Sequence, residues 1–269
     1  MKCRELYDNE NVKYRQLKLR GRGFHLSGGE NTVSKTESKY PWSNYTLKVG
    51  RGEPVSTTQY VLYAVQIAAI IILSYLSVVL LGPLSYSGIS LFYFVYPFFL
   101  VFTMWWGIWG IAAAYVGCVV GAGLMVGVGV VPSFAYAVSD LVPPLFAFII
   151  WRGLLANRGY DPLWRDLTDN QVAGIKTKRA GAWVLFVLIN GVILNAISAE
   201  LGVGIEYQLG LIPTGSVAVL GASIPAFWGW WLGWFFGDLL AMVIITPVLV
   251  KGLTSLVERQ GLVNHGWVT

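Results

Sequence analysis

The sequence predicts an all-α integral membrane protein, a six-transmembrane-helix bundle whose N- and C-termini are both cytoplasmic. Two observations predict the class. Of the 269 residues, 55% are hydrophobic and only 12% are charged, whereas a soluble domain is roughly a quarter charged. Continuous apolar runs fill most of the chain after residue 58. Such runs are typical of helices that span a bilayer.

The distribution of basic residues predicts the number of spans. Residues 1–58 hold 11 of the 19 Lys and Arg residues, the segment from Arg152 to Arg179 holds six, and the last two are Lys251 and Arg259. Basic segments stay on the cytoplasmic side of a membrane, so the chain must cross an even number of times in each apolar interval. At about 20 residues a helix, the first interval fits four spans and the second fits two.

The predicted boundaries follow from these intervals. A basic, largely disordered cytoplasmic tail occupies 1–58, a six-helix transmembrane domain occupies 59–251, and a short cytoplasmic tail occupies 252–269. The apolar, glycine-rich connection 202–221 is either a plain connector or an outer lid or interfacial helix. The six spans are predicted at 59–81, 91–107, 108–130, 133–154, 182–201 and 223–250.

The final span contains an aspartate in an otherwise apolar run, WGWWLGWFFGDLLAMVIITP. Asp238 lies roughly 20 Å below a helix start near Pro225, close to the bilayer midplane. An ionised carboxylate facing lipid there would cost about 2.5–3.5 kcal/mol, so Asp238 is expected to face the bundle interior or to be protonated. Trp231 and Trp234 share its helix face and could form an aromatic cup for a flat or cationic ligand. Alternatively, the tryptophans are interfacial anchors and Asp238 joins helices.

Other intramembrane polar residues extend this candidate site. Asp140 lies in the fourth span and Asn190 in the fifth, and the spans contain no basic residue to pair with a carboxylate. An intramembrane carboxylate without a cationic partner suggests a protonated group, an ion or a cationic ligand. Structural alternatives remain, because Asn190 could form a hydrogen bond between helices and Asp140 could bond backbone groups released at Pro143 and Pro144.

Small residues mark two helix faces that could pack closely. Gly117 and Gly121, four residues apart in the third span, favour tight internal packing over a dimer interface. Ala64 and Ala68 form a flat stripe on the first span. That stripe could dock another membrane subunit, so both alanines are candidate partner-binding residues.

Three segments resemble a known family: YPFFLVFTMWWGIWG, AYAVSDLVPPLFAFIIWRGL and WGWWLGWFFGDLLAMVIITPVLVKGL. The pattern is similar to the MASE-type membrane-associated sensor domain, which ends in a tryptophan-rich helix with a Gly-Asp pair and a later proline. More loosely, the chain resembles the S components of energy-coupling-factor (ECF) transporters. Their six helices, Ala-xxx-Ala stripe and outer ligand pocket imply a substrate-binding subunit. The sensor family usually continues into a kinase or cyclase domain, and this sequence has none.

These features predict a small-molecule-binding protein of the plasma membrane, with Asp238, Trp234, Trp231, Asp140 and Asn190 as ligand-binding residues. Uptake with separate energising subunits is the first hypothesis, a MASE-type sensor that signals through partner proteins is the second, and an accessory subunit of a larger complex is the third. The expected partners are the bilayer, a small-molecule ligand of cationic or aromatic character and protein subunits, without nucleic acid. The sequence shows no motif for a cofactor, a metal or an enzymatic reaction.

Overall fold

A computed structural model describes residues 56–80, 92–151, 155, 160, 163, 179–219, 221–260 and 262–264. All of them belong to the unit Ser38–Thr269. The predicted basic tail lies outside the described residues except for its last three positions. Most of the charged segment between the fourth and fifth predicted spans also lies outside them, as do the 82–89 connection and residues 265–269.

The described chain is mostly helical. Two helical stretches contain π-helical turns, at Cys118–Gly123 and Val187–Leu194, and two contain 3-10 turns, at Leu124–Val126 and Ser139–Leu141. The elements in chain order are α1 (Thr57–Val79), α2 (Tyr96–Trp106), α3 (Ile108–Gly117), α4 (Val130–Tyr136), α5 (Val142–Ile150), α6 (Arg179–Phe186), α7 (Asn195–Gln208), β1 (Ser216–Val219), β2 (Ala222–Pro225) and α8 (Ala226–Arg259).

Five helical stretches among the described residues are long and apolar enough to cross a membrane. They are Thr57–Val79, Ile108–Val126, Val130–Ile150, Ala180–Gln208 and Ala226–Arg259. This confirms the prediction of a helical membrane protein, but not the number of six spans. The remaining predicted span, 91–107, contains only the 11-residue helix α2, which is shorter than the roughly 20 residues that a full crossing needs.

Helices α1 and α3 run side by side in the same direction. The Tyr63 ring stacks on Trp109 near the start of both helices, with ring centroids 4.7 Å apart. Further along α1, Ser74 lies against Gly121 in the π-helical stretch that continues α3, so closely that a Cβ added at Gly121 would stand 2.8 Å from the serine Cβ. Because the contacts advance in the same order along both helices, α1 and α3 are parallel. The chain between them must therefore return to the end of the bundle where α1 begins.

Helix α2 provides at least part of that return. Just before it, the Val95 N–H donates to Ser77 Oγ near the end of α1, at 3.2 Å. Just after it, Gly107 turns the chain into α3 with φ 59° and ψ −125°, a conformation that disfavours residues with a Cβ. Helix α2 therefore runs antiparallel to α1, although its helical part is short.

The connection predicted at 202–221 is mostly regular structure. Helix α7 continues to Gln208, and a two-stranded antiparallel hairpin follows, pairing Ser216 with Pro225 and Val219 with Ala222. Gly229 in the first turn of α8 lies against the Val217 side chain. The hairpin thus packs on the start of α8, and the last helix begins at Ala226 rather than at the predicted residue 223.

The segment after α8 folds back onto the turn between α2 and α3. Asn264 is 1% exposed. Its backbone N–H donates to Trp105 O at 2.8 Å, and its Nδ2 donates to Trp106 O at 3.0 Å. Its Oδ1 accepts from the Tyr63 hydroxyl at 2.8 Å. Asn264 therefore satisfies carbonyls at the end of α2, which have no partner within their own helix. Part of the predicted C-terminal tail belongs to the fold.

We expect Asn264→Ala to lower the free energy of unfolding by about 2–4 kcal/mol, because it removes two buried side-chain hydrogen bonds, to Tyr63 and to the Trp106 carbonyl. Tyr63→Phe removes only one of these bonds and should cost about 0.5–1.5 kcal/mol. The matched control is Gln260→Ala at the exposed end of α8, with an expected change within about 0.5 kcal/mol. Reversible unfolding in detergent measures all three, and equal losses for Asn264 and Gln260 would contradict this role.

Candidate functional site

Asp140 lies where the fourth predicted span departs from α-helical geometry. It occupies the 3-10 turn Ser139–Leu141 between α4 and α5, and it is 2% exposed. Pro143 and Pro144 follow at the start of α5, where neither can donate a backbone hydrogen bond. The Oδ1 atom of Asp140 has no hydrogen-bond partner. No backbone group near the two prolines therefore donates to this oxygen atom.

Asp238 lies on the interior face of α8. That face also carries Gly233, Gly237 and Ala241, and Asp238 is 1% exposed. Both of its carboxylate oxygens are buried without a hydrogen-bond partner. The Trp234 side chain, one turn earlier, lies nearby but outside hydrogen-bonding geometry. Asp238 thus faces the bundle rather than lipid, and no described group neutralises it.

The two aspartates lie close enough to interact electrostatically. Glu206 on α7 is also within electrostatic range of Asp140, and its Oε2 is buried without a partner. Three acidic side chains from α7, α8 and the α4–α5 turn therefore share one region. Lys251 and Arg259 lie outside it, exposed in the last part of α8.

Two asparagines add further buried acceptor atoms without a hydrogen-bond partner. Asn190, in the π-helical stretch between α6 and α7, donates its Nδ2 to Phe186 O at 3.3 Å. Asn195 donates its Nδ2 to Phe235 O at 2.8 Å. Since the amide nitrogens face backbone carbonyls, the two Oδ1 atoms face away from them, and both are buried without a partner. We call Asp140, Asn190, Asn195, Glu206 and Asp238 the acceptor cluster.

Neighbouring hydroxyl groups do not supply the missing donors. Tyr96 donates to Asn190 O at 2.9 Å, Ser139 to Tyr136 O at 2.6 Å and Ser198 to Ser139 O at 2.9 Å. These groups all bond backbone carbonyls. The cluster is thus left with six buried oxygens that accept hydrogen bonds and have no partner, an arrangement that is costly unless a donor or a cation occupies it.

Sequence reasoning missed several residues that surround the aspartates. The Cys118 thiol lies beside the Asp140 carboxylate and the Tyr136 hydroxyl. The Tyr93 hydroxyl is buried without a partner and lies within electrostatic range of both aspartates. Glu206 could have been found, since residues 59–151 and 182–250 together contain only four acidic residues, but its position in a predicted loop concealed it.

Helical irregularity coincides with the cluster. Cys118 begins the π-helical stretch of the third predicted span, Asp140 occupies a 3-10 turn, and Asn190 lies in the second π-helical stretch. Such turns interrupt the regular hydrogen bonds of an α-helix and frequently mark functional sites in helices. Three neighbouring chain segments therefore depart from α-geometry where their polar side chains lie.

The two predicted tryptophans share one set of contacts and differ in another. Both pack against the apolar group near the start of α8, and Trp231 stacks on Phe235, with centroids 5.1 Å apart. Trp234 also packs against Gly202, so closely that an added Cβ there would stand 2.5 Å from its ring. Of the two, Trp234 is the one that also packs against the buried group with Cys118 and Tyr136.

Ala64 and Ala68 lie away from the cluster. Both are exposed on α1, on a face with the exposed side chains Val61, Val65 and Ile72. The buried face of α1 carries Tyr63, Gln66, Ile70, Ser74 and Ser77. The alanine stripe thus points out of the bundle, toward lipid or another protein.

Within the described part of the chain, no group of three or more His, Cys, Asp and Glu side chains has an arrangement that could hold a metal ion. The acceptor oxygens come from several segments, and two of the five residues are amides. This arrangement suits a ligand with several donor groups better than a compact metal centre.

Comparison with known proteins gives no match to a family model, to a curated protein or to a solved structure. The resemblances to MASE-type sensors and ECF S components remain predictions. The function is therefore argued from the acceptor cluster and its surroundings.

Proposed function

We propose that this chain is a multi-pass plasma-membrane protein that binds a small molecule at the acceptor cluster. Its role is that of the substrate-binding component of an uptake system with separate energising subunits. The observation that supports this most strongly is the set of six buried oxygens without partners. Such groups carry a free-energy cost of about 1–3 kcal/mol each when left unpaired, and a bound ligand with hydrogen-bond donors offsets that cost.

The proposed topology has six crossings, with α2 as the short second one and both termini in the cytoplasm. The parallel arrangement of α1 and α3 supports an intervening return. The bias of Lys and Arg toward three segments supports the orientation. In this arrangement the β-hairpin lies at the outer face, above the start of α8, and Asn264 lies at the cytoplasmic face.

The exposed stripe of Ala64 and Ala68 is the proposed contact with a membrane-embedded partner. Small side chains let two helix backbones approach closely, and such contacts stabilise helix pairs within a bilayer. The remaining exposed apolar side chains of α1 face the lipid. This surface leaves the acceptor cluster free, so that partner docking and ligand binding use different parts of the bundle.

A sensor that signals through partner proteins is the second candidate. One observation favours it: α8 is a single 34-residue helix that carries Asp238 and ends at Arg259, shortly before the Asn264 contacts. A ligand that displaces Asp238 could therefore move the opposite end of the same helix. The identity of the co-purifying partner proteins distinguishes uptake from sensing.

Native mass spectrometry of the purified full chain tests the binding proposal. We expect a small molecule to co-purify with the wild type and to be reduced at least about tenfold, or about 1.4 kcal/mol of binding free energy, in Asp140→Asn. The matched control is Glu200→Gln, which changes an exposed carboxylate on α7 and should retain the ligand. Equal occupancy in all variants would place the ligand elsewhere. A chain that never carries a small molecule, and whose variants instead lose partner subunits, would favour the accessory role.

A further inference from the structure

The acceptor cluster limits the charge of its ligand. Its open atoms are carboxylate and amide oxygens, which accept hydrogen bonds and attract positive charge. No Lys, Arg or His occurs between Arg51 and Arg152 or between Arg179 and Lys251. An anionic ligand would face Asp140, Glu206 and Asp238 with no basic side chain from these helices to balance it.

Among the described residues, the titratable groups around the aspartates include no cation. Those within electrostatic range of Asp140 come from α2 and the segment before it, the π-helical stretch after α3, α4, α7 and α8. They are Tyr93, Tyr96, Cys118, Tyr136, Glu206 and Asp238. Each of these groups is neutral when protonated and negative when deprotonated, so none of them supplies a positive charge. The neighbouring carboxylates Asp140 and Asp238 repel each other when both are ionised, and a proton on one of them relieves that repulsion.

We infer that the acceptor cluster binds an organic ammonium ion and that this cation exchanges for a proton held by the Asp140–Asp238 pair. In the empty protein, one carboxyl group carries the proton and the other is ionised. On binding, the ammonium ion enters and the carboxyl group releases its proton to solvent, so the net charge of the site does not change. The inference rests on the proposed function of the same cluster.

The donor set of the site favours an organic ammonium ion over a bare metal ion. The described residues contain no compact metal-binding group of acidic, His or Cys side chains. The acceptors instead come from several helices and include two amides, and an ammonium group donates charge-assisted hydrogen bonds to carboxylate oxygens. The aromatic rings of Tyr93 and Trp234 lie nearby and can contact both the cation and an apolar body.

Carbodiimide labelling tests both parts of the inference on the intact chain in lipid nanodiscs. Dicyclohexylcarbodiimide modifies protonated carboxyl groups in apolar surroundings, and peptide mass spectrometry locates the adduct. We expect an adduct on Asp238 or Asp140 that decreases as the pH rises, because the reagent requires the protonated form. Glu200, which is exposed on α7, serves as the internal control because it lies outside the acceptor cluster.

Protection by cations is the second arm, with probes matched in shape. Benzylammonium should reduce labelling at least tenfold, while benzyl alcohol, the neutral counterpart, and sodium at the same ionic strength should not. A weakly buffered sample should acidify when benzylammonium is added, by about one proton per bound cation. Asp238→Asn should abolish the acidification, and Asp238→Glu should retain it if the carboxylate rather than the fold is responsible.

Each outcome either supports or overturns the inference. Labelling without protection by benzylammonium, protection by benzyl alcohol to the same extent, or the absence of labelling in folded protein overturns it. Protection by sodium alone overturns the organic ammonium in favour of an inorganic ion. A neutral or anionic molecule found in the native mass spectrum also overturns the inference, yet it leaves the proposed binding function standing. The binding function itself fails only when no ligand or probe occupies the cluster.

Discussion

Asp238→Leu should make the protein more stable, by about 1–3 kcal/mol in the free energy of unfolding, while it abolishes ligand binding. The expected gain arises because both oxygens of Asp238 are buried and have no hydrogen-bond partner. Replacing such a group with an apolar side chain of similar size removes a desolvation cost without breaking an interaction. The binding loss follows because the carboxylate supplies two of the open acceptor atoms. Unfolding in detergent without added ligand, together with native mass spectrometry, measures both effects.

Ser198→Ala is the contrasting variant for this experiment. Ser198 is equally buried, but its hydroxyl donates to Ser139 O at 2.9 Å and joins α7 to the turn that carries Asp140. Its loss removes this buried hydrogen bond, while the Val142 N–H still donates to Ser139 O, so we expect a destabilisation of about 0.5–1.5 kcal/mol. If Asp238→Leu destabilises the protein as much as Ser198→Ala does, Asp238 has a structural partner. The accessory-subunit hypothesis would then take first place.

The apolar runs and the cost of a lipid-facing charge predicted much of this arrangement. They predicted a helical membrane protein, and they predicted that Asp238 would face the interior, where the structure has it 1% exposed. The absence of basic residues from the spans predicted an unpaired carboxylate at Asp140. These inferences succeed because burial in an apolar solvent is decided by each residue's own chemistry.

The relations between helices could not be predicted in the same way. Which side chains meet Asp140 depends on the π-helical and 3-10 turns, because each such turn changes the rotation of all residues that follow it. Cys118 therefore looked like one more apolar position in the third span. Likewise, Trp231 and Asp238 share a helical face at a spacing of seven, but that spacing also separates them by about 10 Å along the axis. The contact between Tyr63 and Asn264, 201 residues apart, has no local sequence signal.

Gly110→Ala should cause the largest loss of stability among the glycine variants, at least about 1–3 kcal/mol in the free energy of unfolding. An added Cβ at Gly110 would stand 2.3 Å from the Thr103 backbone N and 2.4 Å from the Phe102 carbonyl carbon. Backbone atoms cannot rotate away as the end of a flexible side chain can. Helices α2 and α3 would have to separate at their shared turn, which disturbs the packing beside it.

Gly204→Ala is the matched control because Gly204 is also helical, and an added Cβ there meets nothing within 4 Å. Alanine favours helix over glycine, so this variant should be neutral or should stabilise the protein by about 0.5–1 kcal/mol. The comparison separates the steric effect of α2–α3 packing from the intrinsic helix propensity of the substituted residue. Equal stability for Gly110→Ala and Gly204→Ala would show that α2 does not pack against α3 at this distance. The return of the chain between α1 and α3, on which the even number of crossings depends, would then lose its main structural support.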